Sequence, residues 1–82
     1  MIDSFTTSDT ALASYLLSEG YILEKIDYSQ PRFEYFFSRS PEILKATSQY
    51  LSGNALSDPA NFARVNKRLL WTINHRLQWG DE

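Results

Sequence analysis

YILEKIDYSQPRFEYFFS, residues 21–38, decides the fold. Its two flanks, YILEKID (21–27) and RFEYFFS (32–38), are rich in β-branched and aromatic residues and alternate in polarity, as half-buried strands do. Alternation sends Phe33, Tyr35 and Phe37 to one side and Arg32, Glu34, Phe36 and Ser38 to the other. The link YSQP (28–31) is short, polar and ends in proline, which predicts a four- or five-residue hairpin turn. A two-stranded hairpin is only marginally stable alone, so helices must cover it or another strand must join it. The available recruits are Ile2 to Thr6 and Asn54 to Ser57.

Working outward, three helices announce themselves by their ends. The first follows TTSD, where Thr7 or Ser8 offers a cap and Asp9 favours the positive helix start; Gly20 is placed to end it. Ala11, Leu12, Tyr15 and Leu16 share a face. The second opens on Ser40-Pro41-Glu42, presents Ile43, Leu44, Thr47, Tyr50 and Leu51, and closes at Gly53. The third opens on Asp58-Pro59 and is expected to run to about Trp79, with Gly80 as its stop. The expected architecture is therefore α+β: a small, hairpin-centred antiparallel sheet packed with three helices, in the order (β)αββα(β)α. At 82 residues the chain is expected to form a single domain over 1–82.

Composition narrows the function classes. Cysteine is absent, so neither disulfides nor thiolate metal ligands are possible, and the apolar core must carry the stability. No apolar run approaches the roughly 20 residues that span a bilayer. The start MIDSFTTSD lacks the basic and apolar segments of a signal peptide, so the expected location is the cytoplasm (a host's, if the chain is viral). Net charge is −2, unlike a wholly electrostatic nucleic-acid binder. The charge is unevenly placed, however. NFARVNKRLLWTINHRLQW (61–79) holds four of the eight basic residues, both tryptophans and no acid.

The order of signals resembles a family of short uncharacterised proteins, a domain of unknown function found in bacteria and in phages and other mobile elements. The resemblance rests on FTTSD, ALASYLLSEG, the hairpin, SPE opening a helix and DPANF…KRLL opening the last. Arg32, Tyr35 and Phe37 match its arginine followed by aromatic–x–aromatic; Gly20, Asp58-Pro59 and the pair Lys67-Arg68 match as well. It covers about residues 5–71 and leaves Trp79 outside. It implies the fold and a phage or mobile-element setting, and it brings no catalytic or ligand residue to transfer.

Catalysis finds little material. There is one histidine, His75, and the carboxylates are scattered; Asp9, Glu42 and Asp58 are already explained by helix starts. Zinc needs three or four His, Cys or carboxylate ligands at compact spacing, and none appears. No glycine-rich phosphate loop is present among three glycines. The expectation is a non-enzyme without metal, cofactor or small-molecule substrate.

Two binding surfaces remain. On the third helix Phe62, Val65, Leu69, Ile73 and Leu77, widened by Leu70, form a core stripe; Arg64, Lys67, Arg68, Trp71, His75 and Gln78 lie opposite, with Arg76 in the last turn. Cations there would meet phosphates of DNA or RNA, while Trp71 or His75 would stack on a base. An ordinary solvated face, neutralised by the acids of the strands, accounts for the same residues. The second surface is the outward side of the hairpin, where Phe36 with Tyr21, Leu23 or Tyr28 nearby would form a patch for a protein partner or a homodimer. Helices on both faces of the sheet would cover it instead. The sequence favours nucleic-acid association narrowly, with a protein-interaction module as the alternative.

Overall fold

A computed structural model of the protein describes residues 4–80. Its elements are β1 (Ser4–Thr7), α1 (Thr10–Ser18), β2 (Leu23–Asp27), β3 (Glu34–Ser38), α2 (Pro41–Leu51) and α3 (Pro59–Asn74). The hairpin and the starts of the three helices stand where the sequence put them. The N-terminal recruit joins the sheet as β1, with Ile2 outside the described residues, while 54–57 is loop. Strand order is β1-β3-β2 with both pairings antiparallel, so the aromatic strand takes the centre.

That placement explains the core. Tyr35 and Phe37 are fully buried from the centre of the sheet, among Leu16, Ile26, Ile43 and Leu69. Each such side chain removed from water contributes about 1.5–3 kcal/mol. The Tyr35 hydroxyl keeps a partner in Thr10 Oγ1 at 2.8 Å. In α1 five successive residues, Leu12 to Leu16, are buried, because the sheet lies on one side and α2 and α3 pack on others. Among them Ser14 donates to Asn66 Oδ1 of α3 at 2.8 Å, so the polar atom is not stranded.

Strict alternation fails in β2. Leu23 lies opposite Phe37 and Lys25 opposite Phe36, leaving Glu24 as the extra residue of a bulge. The bulge turns both Leu23 and Ile26 into the core, three positions apart. The opposite face of the sheet is left to Thr6, Glu24 and Lys25, which are exposed, and to a half-buried Phe36. One face of the sheet is covered and one is not.

Helix ends follow a common rule with one exception. Asp9 itself caps α1, accepting from Ala11 and Leu12 N–H, whereas Thr7 accepts from the Asp9 N–H; the cap is therefore neither Thr7 nor Ser8. Ser40 and Asp58 cap α2 and α3, each followed by proline at the first helical position. All three helices close with the same bond, from the residue two past the cap back to the carbonyl five before it: Tyr21 to Leu16 at 3.1 Å, Asn54 to Gln49 at 2.9 Å, Leu77 to Thr72 at 3.1 Å. The motif needs a left-handed residue in between. Gly20 (φ 94°) and Gly53 (φ 81°) supply it for α1 and α2, but Arg76 (φ 55°) does so for α3. The third helix therefore stops at Asn74 and not near Trp79, and residues 75–80 fold back over the body.

Two apolar faces are rotated from expectation. On α2 Ile43 and Ala46 are buried and Thr47 and Tyr50 half-buried, while Leu44 and Leu51 face outward; Tyr50 turns inward to meet Tyr15, ring centroids 5.3 Å apart. On α3 the buried residues are Leu69, Thr72 and Ile73, and Leu70 is exposed.

Candidate nucleic-acid interface

The outward face of α3 is set by two asparagines that face inward. Asn61 donates from Nδ2 to the Ser18 carbonyl at 3.0 Å, and Asn66 accepts from Ser14, which fixes the rotation of α3 against α1. With Leu69 and Ile73 packed beneath, Arg64, Lys67, Arg68 and Trp71 are left on the exposed side. These four surround a shallow depression of about 420 Å³ whose walls are almost wholly carbon, supplied by the indole and the stems of the cations.

Three of the four have a defined posture. The Trp71 ring stacks on His75 at 4.1 Å with planes 25° apart, and is 45% exposed. His75 Nδ1 lies 2.8 Å from the Trp71 carbonyl, which ties the imidazole to the helix end. The Arg64 guanidinium donates to Asn61 Oδ1. Arg68 lies over the ring of Trp79, 4.1 Å from its centroid. The face thus carries two arginines and one indole already held in place, with Lys67 beside them and no acid in the chain from Pro59 to Gly80.

Arg76 does not belong to this face. Its left-handed backbone turns it to the other side of the helix end, where it lies over Phe33 at 4.6 Å and over Tyr28 at 5.4 Å. Gln78 also leaves the basic face. Its Oε1 accepts from Ile26 N–H at 2.7 Å and its Nε2 donates to the Ile26 carbonyl at 2.8 Å, so one side-chain amide completes the outer edge of β2.

The two residues expected at a protein interface are separated. Tyr28 packs edge-on against Phe33, centroids 5.1 Å apart, and its hydroxyl donates to the Leu77 carbonyl. Burial, with a smaller contribution from Tyr35, raises its pKa, and Arg76 partly offsets the rise. Phe36 sits on the uncovered sheet face beneath Lys25, whose ammonium is 5.8 Å from the ring. Leu23 is in the core and Tyr21 and Tyr28 pack against it, so the anticipated patch of Phe36 with Tyr21, Leu23 or Tyr28 is not assembled.

The residues that position the site, Asn61, Asn66 and Trp79, were not visible as such in the sequence. Only the two asparagines left a trace: amides beside an apolar stripe, at the spacing that meets a neighbouring helix.

Residues 3–74 match the family described as domain of unknown function DUF5659. The chain belongs to that family. This agrees with the resemblance carried by the helix starts and the aromatic hairpin, and the match ends at the last residue of α3. No curated protein and no solved structure matches the chain. Among the described residues no helix is long and apolar enough to cross a membrane. Nor, among those residues, does any group of three or more His, Asp or Glu gather as metal ligands.

Proposed function

We propose that this DUF5659 chain is a non-catalytic accessory protein of a phage or mobile element, acting in the cytoplasm and associating with nucleic acid through α3. The observation that carries the reading is the placing of Arg64, Lys67 and Arg68 around an exposed Trp71 on one helix face. Cations there meet phosphates, and the helix holds them in fixed register. Arg68 lies over Trp79, which packs against the core, whereas Arg64 bonds within its own helix to Asn61, so Arg64 and Lys67 are the cations to change without touching the core.

The test is fluorescence anisotropy of labelled oligonucleotides across salt concentrations. Binding is expected to weaken steeply with salt. Arg64→Ala with Lys67→Ala should lower the slope of log affinity against log salt by about 1.4–1.8, two phosphate contacts' worth on single or double strands. Unchanged affinity in a folded double variant would overturn the reading.

The alternative, a protein-interaction module, shifts to a different surface. Leu44 and Leu51, 41% and 71% exposed, lie about two turns apart on the outward side of α2, followed by Leu56 at 89%. On this reading the chain self-associates through α2. Sedimentation of the protein and of Leu51→Glu decides it: a dimer lost in the variant supports the reading, and a monomer at every concentration removes it.

A further inference from the structure

We infer that the depression on α3 seats one unpaired base, and that the ligand is single-stranded nucleic acid. This rests on the nucleic-acid reading above and sharpens it.

The chemistry of the depression is that of a nucleotide turned inside out. Its walls are carbon and its rim is cationic, matching a flat apolar base joined to an anionic backbone. A surface for duplex phosphates alone needs cations but no indole, because in a duplex the faces of the bases are already stacked on one another. Trp71 is instead left 45% exposed beside the cations, with His75 stacked on one side of it.

The ring is also prepared for stacking. His75 covers it at 4.1 Å and is itself tied to the Trp71 carbonyl at 2.8 Å, so the indole is buttressed from one side. A ring fixed before binding loses little conformational freedom when a base arrives. Lys67 stands about one helical turn and Arg64 about two turns before Trp71, some 6 and 11 Å along the axis, on the side where phosphates flanking the seated base would run.

The overall charge points the same way. At net −2 and pI ≈ 5.3 the chain has little long-range attraction for a polyanion. Its affinity must come from short-range contacts, and base stacking on an aromatic side chain supplies them without regard to sequence. Single strands also carry lower charge density than duplex, so they demand fewer cations for binding.

The experiment titrates the full chain into a labelled oligothymidylate, the same length of duplex, and thymidine monophosphate at low salt, alongside Trp71→Ala and Trp71→Phe. Circular dichroism checks that both variants fold. The expected result is tighter binding of the single strand than of the duplex by tenfold or more. Trp71→Ala should weaken the single strand by roughly five- to 150-fold, the range for one stacked base. It should weaken any duplex binding far less than that, and Trp71→Phe should retain most of the affinity. In a Trp79→Phe background the remaining indole fluorescence should be quenched on binding. Equal affinity for both strands, with no effect of Trp71→Ala, overturns this inference while leaving the cationic reading of α3 intact. Monophosphate binding as tight as the oligonucleotide overturns the single-strand assignment. Binding of neither strand overturns both readings.

Discussion

Trp71 and Trp79 are the same side chain on either side of a helix end, each with one neighbour stacked on it, and they do different work. Trp71 has His75 at its face and otherwise looks outward. Trp79 is half-buried against the core, with Arg68 closing over it. What separates them is the backbone of Arg76: its left-handed turn ends the helix after Asn74 and sends the following residues back toward the sheet. Aromatic content and local charge did not distinguish a residue of the surface from a residue of the fold; the turn between them did.

The sharpest way to break this comparison is to truncate each ring. Trp79→Ala should lower unfolding free energy by about 2 kcal/mol, roughly half the loss of a fully buried aromatic. Trp71→Ala should stay within about 0.5 kcal/mol, as exposed substitutions do. Urea denaturation measures both, and equal losses would erase the distinction.

Next in size is the attachment of the returning segment. Gln78→Ala strips Ile26 of the partners for its N–H and C=O and should lower stability by about 1–2 kcal/mol. Hydrogen exchange at the Ile26 amide should accelerate in step; an unchanged rate would show that the edge is protected by something else.

At the turn itself, Arg76→Ala keeps a left-handed residue with a side chain and loses the contacts over Phe33 and Tyr28, a loss of about 0.5–1 kcal/mol. Arg76→Gly loses the same contacts and relieves backbone strain of about 1 kcal/mol, so it should sit close to the parent. Thermal melts that rank Ala at or above Gly would contradict the strained turn.

The smallest effect appears only in alkali. Burial raises the pKa of Tyr15, Tyr28 and Tyr35. An unfolded tyrosine then loses its proton first, so this stability is fully present below pH about 10 and is lost as pH rises through the folded values. Circular dichroism followed upward in pH should show Tyr28→Phe losing structure less steeply than the parent.

Much of the fold was legible because its signals are local. Ser40-Pro41 and Asp58-Pro59 announce helix starts through groups a few atoms from the backbone they cap, and Tyr35 and Phe37 face the core as their alternation requires. The third helix end was not legible, because a left-handed arginine is rare and is held by rings forty or more residues earlier in the chain. The bulge at Glu24 was hidden for a similar reason: it is defined by what lies across the strand pair. Of the six residues expected opposite the core stripe, Arg64, Lys67, Arg68, Trp71 and His75 follow helical spacing; Gln78 leaves it with the turn, as does Arg76.

The glutamine at the edge of β2 has a consequence for assembly. An unpaired strand edge is a template on which identical chains can stack, and a sheet with two such edges can elongate without limit. By occupying Ile26 with its own amide, Gln78 closes that position of β2 to an incoming strand. One side chain, folded back from beyond the last helix, thus narrows the edge on which copies of the chain could stack.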